Sequence, residues 1–387
     1  MESFLRSAHS LSDAGGFDID GHIRELRHTT RAQIEQDMSA LSAKAHCDSW
    51  MTAHSPEFSR VAGAHGWIGM TLPQEFGGGG RTPLERYVVI EELLAAGAPV
   101  AAHWFADRQV GPALLRHGTT QQRERYLHGI VRGECYFSIG MSEPESGSDL
   151  AAVRTKATEI DGGWRLNGTK IWTSHAHAAH HMLVLCRTDA PEDGDRRTGL
   201  SQFLVDLRLP GVTVQPIISL DGHHHFNEVL FDDVMLRDDD LLGRRGQGWN
   251  QVMEELALER SGPERFMSTM PLLRALVRGS SARPTALGAL LAELQSLRAL
   301  STAVAEALSR GEVPTVDSAL VKDLGTRFES KVVSLARAMS PAVPDTESQC
   351  DLERLLAEAI LHAPDRTLRG GTNEILRGIV ARAVVTA

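Results

Sequence analysis

The chain has 387 residues, 42% hydrophobic and 23% charged, which is an ordinary globular balance, and its length predicts two or three domains. Its net charge of −10 argues against a nucleic-acid surface, which needs clustered Lys and Arg, and no apolar run approaches the ~20 residues that span a bilayer. The N-terminus, Met1-Glu2-Ser3-Phe4-Leu5-Arg6, has no apolar signal core, and Cys47, Cys135, Cys186 and Cys350 lie far apart with no CxxC pair, so the expectation is a cytoplasmic protein without a disulfide framework or thiolate zinc site.

Residues 1–133 read as helices. Ile23, Leu26, Ile34, Met38 and Leu41 approximate helical spacing over 23–46, and 84–96 is richer in apolar residues, as a buried helix would be. The glycines at 77–80, followed by Pro83, predict a turn and a helix start rather than a phosphate cradle, because no Lys-Ser/Thr follows them. Over 134–248 the period moves towards two. Asn167-Gly168 predicts a hairpin turn between 164–166 and 170–172, and 182–186, 202–207, 212–217 and 228–236 are further strand candidates. Several short strands at this spacing predict a β-barrel or sandwich. From 249 to 387 the chain is Ala/Leu-rich, and helices over 251–278, 286–309, 318–339 and 351–362 fit an antiparallel four-helix bundle. The predicted order is an N-terminal α-helical domain, a middle β-barrel and a C-terminal α-helical bundle. Aromatics at only 5% agree with an aliphatic core.

Four motifs are candidates for chemistry. Met141-Ser142-Glu143-Pro144-Glu145-Ser146-Gly147-Ser148-Asp149 follows a strand and mixes hydroxyls with a glycine, which suits hydrogen bonding to a cofactor ring or phosphate and equally an ordinary turn. Trp172-Thr173-Ser174 sets an indole beside hydroxyls, as one wall of a planar pocket or as a half-buried core Trp. In Leu258-Glu259-Arg260-Ser261-Gly262-Pro263-Glu264-Arg265, Pro263 clashes with the carbonyl of Glu259 and predicts a helix kink that re-aims this residue. Arg369-Gly370-Gly371-Thr372-Asn373-Glu374-Ile375 permits close backbone approach to a ligand, or is a plain helix entry. His175, His177, His180 and His181 with 223–225 could be drawn as a metal site, but adjacent histidines cannot all face one ion and no HExxH helix accompanies them, so no metal is expected.

These motifs, in this order, resemble the acyl-CoA dehydrogenase family of flavoproteins. The likeness runs from Gly66-Trp67-Ile68-Gly69 and Pro73-Gln74-Glu75-Phe76-Gly77-Gly78 to Ile379-Val380-Ala381-Arg382, and 142–149 and 371–382 look like the two signature regions of the family. The resemblance implies FAD bound between barrel and bundle. It implies that Met141 and Ser142 hydrogen-bond the flavin pyrimidine, that Gly147 and Ser148 lie near the pyrophosphate and the acyl-CoA, and that Trp172 packs on the isoalloxazine. Thr173 goes with that strand end, and Ser174 stands where a Thr usually meets flavin N5. Thr372 and Glu374 would reach FAD, and Arg382 would lie close to substrate.

The implied reaction is α,β-dehydrogenation of an acyl thioester. A desolvated carboxylate takes the α-proton, hydride leaves the β-carbon for flavin N5, and hydrogen bonds to the thioester oxygen stabilise the developing enolate. Many members place the base just before the Gly-Thr of the last motif, where this chain has Gly370. A minority carry it in a Glu-Arg pair on a bundle helix. Glu259-Arg260 matches that pair, the lack of a side chain at Gly370 would leave space for it, and Glu264 is the reserve candidate. Arg260 and Gly370 would then border substrate. Arg260, Arg369 and Arg382 are the first places to look for CoA phosphate contacts, given the overall negative charge.

The resemblance further implies a flavoprotein electron acceptor and a homodimer or homotetramer. The Arg-x-x-Phe-Gly segment expected after Leu276 and the Gly-Gly-x-Gly-Tyr loop are missing, with 341–349 in place of the latter, so the adenosine end of FAD would be held differently. Such simplification looks like bacterial members acting on steroid or other bulky acyl chains. The alternatives are the same fold acting on a carrier-protein-bound acyl group or as an oxidase, or a non-catalytic partner subunit of a hetero-oligomer. A metal-dependent hydrolase is a distant third.

Overall fold

The computed structural model describes residues 19–260, 262–279, 285–312, 314–340 and 343–385, and the side chains of 257–259, including that of Glu259, lie outside the described residues. The N-terminal part is helical: Ile19–Ala40, Ser49–Thr52, Pro56–Ala64, Pro83–Ala96, Ala101–Phe105, Gly111–His117 and Thr120–Val131. Local sequence sets several of these ends. Thr82 and Glu85 form a reciprocal capping box with Pro83 in the first turn, and Gly97, at φ +67°, closes the same helix. Thr119 and Gln122 repeat the box at the last helix. The first helix stops at Ala40 rather than 46, because the chain turns at Ser42 into the left-handed region and Ala43 N–H donates back to Met38 O. Gly78 and Gly79 pack against the backbone of Leu72 and Met70, so the glycine run is a close-packed turn.

Eight strands follow: β1 Phe137–Gly140, β2 Lys156–Ile160, β3 Gly163–Ser174, β4 His181–Arg187, β5 Leu200–Asp206, β6 Val212–Ile217, β7 Phe226–Leu236 and β8 Leu241–Leu242. They pair in the order β6-β7-β3-β2-β4-β5-β8, with β1 parallel to β4. The sheet curls around its own core of Trp164, Leu166, Phe203, Val229 and Phe231. Leu183 and Leu204, on the other face of β4 and β5, pack into the helical core, which is why these strands read as unbroken apolar runs.

The hairpin expected at Asn167-Gly168 is not there. β3 runs through it as one 12-residue strand, and the turn falls at Asp161-Gly162, between β2 and β3. Asn167 exchanges two hydrogen bonds of 2.9 Å with Asp233 on β7, beside a register shift, and a side chain at Gly168 would collide with Thr155. Gly168 serves a close approach here, which a short-range turn signal cannot distinguish from a hairpin.

The C-terminal helices are Gly248–Glu259, Met270–Gly279, Thr285–Ser309, Thr315–Met339, Asp351–Leu361, Ala363–Arg366 and Asn373–Val385. The kink expected before Pro263 is a full break. The first helix ends at Glu259, Gly262 is extended, and Pro263–Arg265 makes a single 3₁₀ turn before the next helix. Proline lacks the N–H that would continue the ladder, and the glycine beside it removes the cost of leaving the helix. Phe266 and Phe328 are fully buried in a core shared with Phe58 and Leu93 of the N-terminal helices. Phe328→Ala is expected to cost about 3–5 kcal/mol of unfolding free energy. A denaturation midpoint within experimental scatter of the wild type would show that this core does not join the two helical regions.

Candidate active site

Trp172 is the most informative side chain on the barrel. Trp164, Leu166 and Lys170 alternate inward along β3, and strict alternation would turn Trp172 inward after them. A register shift between Lys170 and Thr173 breaks the alternation, Trp172 takes φ +60°, and its indole stands 56% exposed, edge-on to Phe226 at 5.8 Å. A bulky residue in the left-handed region costs of order 1–3 kcal/mol, and such strain gathers at ligand sites. The flanking residues hold the bulge. Thr173 Oγ1 donates to Asn227 O at 2.8 Å, and Asn227 Nδ2 returns a bond to Thr173 O at 2.9 Å. The Thr173 hydroxyl is therefore committed inside the barrel. Ser174 is buried, and its carbonyl accepts from Ser138 Oγ.

The loop at 141–149 is fixed from below by Lys170, which is fully buried. Its Nζ donates to Met141 O at 2.9 Å and to Glu143 Oε1 at 2.8 Å. The Glu143 carboxylate also receives Arg154 N–H at 2.6 Å and Thr155 N–H at 2.9 Å. Burial pulls the lysine down, against the Glu143 charge, and pushes the carboxylate up, yet the Lys170 charge and these donors hold Glu143 below its usual value. Ile171 N–H donates to Ser142 O, which ties the loop to the strand that carries Trp172. Gly147 and Ser148 lie exposed, and a side chain at Gly147 would meet no heavy atom within 4 Å. A planar, partly apolar cofactor with a phosphate tail fits this set: an open indole face, a braced polar loop and a bare glycine.

The second half of the site comes from the C-terminal helices. Arg260, immediately after the helix end at Glu259, donates from Nε to Gly370 O at 3.2 Å. Gly370 and Gly371 have φ +67° and +93°; a Cβ at Gly370 would lie 2.9 Å from Arg265 Nη1, and one at Gly371 would lie 3.3 Å from Arg260 Nη2. The space at Gly370 expected to receive Glu259 is thus bordered by the Arg265 guanidinium. Glu264, the reserve candidate, is fully buried, and its Oε1 pairs with Arg108 at 2.7 Å. Thr372 Oγ1 accepts from Ile375 N–H at the start of the last helix, Glu374 is exposed in its first turn, and Arg382 is exposed two turns further along. Arg382 lies about 13 Å from Asn373 along that axis at 1.5 Å per residue.

Arg369 is not on the surface. Its guanidinium meets Asp48 at 2.6 Å, lies over the Trp50 ring at 4.9 Å and donates to Ser268 Oγ at 3.1 Å, so it is committed to the protein interior rather than to a phosphate. The histidines are distributed among backbone and amide partners: His175 Nε2 meets Met51 O, and His177 and His224 both meet Asn227 Oδ1. Burial, with His54 nearby, drives His175 down to about 3. Among the described residues no three His, Cys, Asp or Glu side chains gather as a metal site. Sequence reasoning missed Lys170, whose signal was a lone cation in phase with Trp164 and Leu166, and it missed Asp48 and Arg366, for which no local signal exists.

The site thus sets an open indole on a strained strand that is hydrogen-bonded to a polar loop, in a sheet domain carried between two helical domains. Three family models match in order: the acyl-CoA dehydrogenase N-terminal domain over 21–134, the middle domain over 138–234 and the C-terminal domain over 280–385. The chain is 33% identical to the acyl-CoA dehydrogenase FadE29 of Mycobacterium tuberculosis, with 94% of this chain and 96% of that protein covered. It is 35% identical to IpdE1 of the same organism, over 81% and 83%. A solved structure titled Tcur3481-Tcur3483 steroid ACAD is 26% identical, with 95% and 98% covered and a TM-score of 0.81. The chain belongs to the acyl-CoA dehydrogenase family, whose members are flavoproteins. No helix among the described residues is long and apolar enough to cross a membrane.

Lys170→Met leaves Glu143 charged and unpaired in a buried place and is expected to destabilise by about 3–5 kcal/mol, while Lys170→Met/Glu143→Gln recovers part of the loss. Thermal melting of the three proteins checks this, and a Lys170→Met melting point equal to wild type contradicts the bracing of the loop.

Proposed function

We propose that the protein binds FAD and dehydrogenates an acyl-CoA thioester between its α- and β-carbons, with Glu259 as the base that takes the α-proton. The observation that carries this reading is the Arg260–Gly370 hydrogen bond of 3.2 Å, which brings the helix end bearing Glu259 against the Gly370-Gly371 loop. A base on that helix and a side-chain-free residue on that loop are complementary, since only one carboxylate is needed at the α-carbon. FAD, when bound, supplies the acceptor for the hydride that leaves the β-carbon.

The residues that would hold FAD are Trp172 along one face, Met141, Ser142 and Ser174 at the ring edge, Gly147 and Ser148 at the phosphates, and Thr372 and Glu374 at the start of the last helix. Thr173 contributes by holding the strand between Trp172 and Ser174, since its hydroxyl and its carbonyl are both engaged with Asn227. Backbone N–H groups over 370–372 donate to the thioester oxygen and stabilise the enolate-like charge as Glu259 removes the proton. Arg260, beside Gly371, adds positive charge on the same side.

The CoA end is assigned to the other end of the same helix. A cavity of about 700 Å³ there is lined by Thr198, Arg197, Arg245, Gln247, Trp249 and Asn250, and Arg197 lies over the Trp249 ring at 5.8 Å. The helix from Gly248 to Glu259 has no side chain capping its first N–H groups, which favours an anion, and at 1.5 Å per residue it spans about 18 Å from cavity to base. Arg197 carries this role better than Arg369 or Arg382, although Asp189, Glu192 and Asp195 line the same cavity and keep its net charge negative. Ser148, exposed on the 141–149 loop, is assigned to the acyl-CoA as well as to the FAD phosphates.

A bulky, steroid-type acyl chain is the first substrate class to test, in view of the relative titled a steroid enzyme. Exposed Ile375, Val384 and Val385 on the last helix support a homodimer or homotetramer, and an electron-transferring flavoprotein is the acceptor that completes turnover.

Glu259→Gln, loaded with FAD, is expected to lose ~10² to 10⁴ or more in kcat. Steady-state turnover with acyl-CoA checks it, and near-normal turnover would remove Glu259 from the reaction. Arg197→Glu is expected to raise KM for acyl-CoA several-fold with kcat unchanged, the sign of lost uniform binding; an unchanged KM would detach the cavity from CoA.

A further inference from the structure

His362 stands where the three domains meet. It caps the Asp351–Leu361 helix, and its ring is almost fully enclosed. On one side Nε2 meets Asp221 Oδ2 at 2.8 Å, in the β6–β7 connection of the barrel. On the other side Nδ1 lies 3.4 Å from Asp48 Oδ2, in the N-terminal helical region. Asp48 in turn holds Arg366 at 3.0 Å and Arg369 at 2.6 Å, and Arg369 is the residue before Gly370. Asp221 is itself fixed by Ser219 Oγ and His223 N–H, and the strand that follows its loop begins at Phe226, against whose ring Trp172 stands. A path of ring contact, chain, hydrogen bond and ion pairs thus leads from the Trp172 wall, through Phe226, Asp221, His362, Asp48 and Arg369, to the Gly370-Gly371 loop.

We propose that His362 is a positioning residue for catalysis: by bridging Asp221 and Asp48 it fixes the Trp172 side of the site against the Gly370-Gly371 side. This rests on the reading of those two sides as the cofactor and thioester walls. The ring touches neither ligand, and it acts through the loops it joins. The groups that face it are Asp221 and His225 from the barrel, Asp48 from the N-terminal region, and Asp365, Arg366 and Arg369 from its own segment, with Glu329 of the Thr315–Met339 helix behind the two arginines. Two carboxylates, Asp221 hydrogen-bonded at 2.8 Å and Asp48 within ion-pairing distance at 3.4 Å, favour the protonated ring. Burial lowers its pKa, but the bonds and charges of Asp221 and Asp48 prevail and raise it from 6.5 to about 9. A raised folded-state pKa means that the clamp is complete below pH 6.5 and is lost as the pH climbs through about 9.

The test is hydrogen–deuterium exchange of the FAD-loaded enzyme over 363–372 and 218–226, together with kcat and KM, for wild type, His362→Gln and Asp221→Asn on both sides of pH 9. In wild type both segments are expected to lose protection together as the pH passes about 9, and kcat to fall with them. His362→Gln is expected to exchange faster at neutral pH, to lose roughly tenfold or more in kcat with KM within about threefold, and to show no step near pH 9. Asp221→Asn removes one of the two charges, so its step moves to lower pH. It carries the same test if His362→Gln does not fold. Exchange and kcat in both variants equal to wild type at every pH would overturn the clamp. A wild type whose flavin no acyl-CoA reduces, but whose exchange follows the expected pattern, would refute the proposed activity and leave the clamp standing.

Discussion

Asp48 is the point on which the arrangement of the three domains depends. It sits in the left-handed region before a four-residue helix, almost fully buried, and gathers Arg366, Arg369 and His362 from the C-terminal segment. A carboxylate in this surrounding is driven up by burial and down by three cationic neighbours, and the cations win. Glu329 receives Ser268 N–H at 2.8 Å, and Ser268 Oγ also accepts from the Trp50 indole. The result is a buried ionic node whose members come from distant parts of the chain. Removing one of them leaves a buried charge without its counter-charge, which is costly.

The site makes different use of strain and of rigidity. Trp172 is held out in a conformation its side chain disfavours, and Lys170 with Asn227 over-determines the bulge that puts it there. The Gly370-Gly371 loop needs no such force, because glycine accepts a positive φ without penalty. Its lack of side chains instead lets two guanidiniums, Arg260 and Arg265, approach the backbone. A base carried by the helix end, rather than by this loop, is consistent with that crowding.

Much of the architecture was legible in the sequence because it is written locally. Pro83 marks a helix start, short apolar runs mark β4 and β5, alternation marks β6 and β7, and Pro263 marks a helix end. The Asn167-Gly168 reading failed because the same glycine that makes a tight turn also admits a neighbouring strand at close range, and only tertiary packing chooses. The site was legible in part. Its loops have recognisable composition, but the outward turn of Trp172 depends on a β3–β7 register shift, and the Asp48 node depends on contacts more than 300 residues apart along the chain. Arg369 was expected at a phosphate because charge alone was visible, and its partner Asp48 was not.

The most direct measurement is anaerobic titration of the purified, FAD-loaded protein with acyl-CoA thioesters, followed by visible absorbance. The account predicts that the protein is yellow and that a bulky acyl-CoA bleaches the flavin band in a stoichiometric step, with the α,β-unsaturated thioester as product. A protein that takes up no FAD, or a flavin band that no acyl-CoA bleaches, would contradict it.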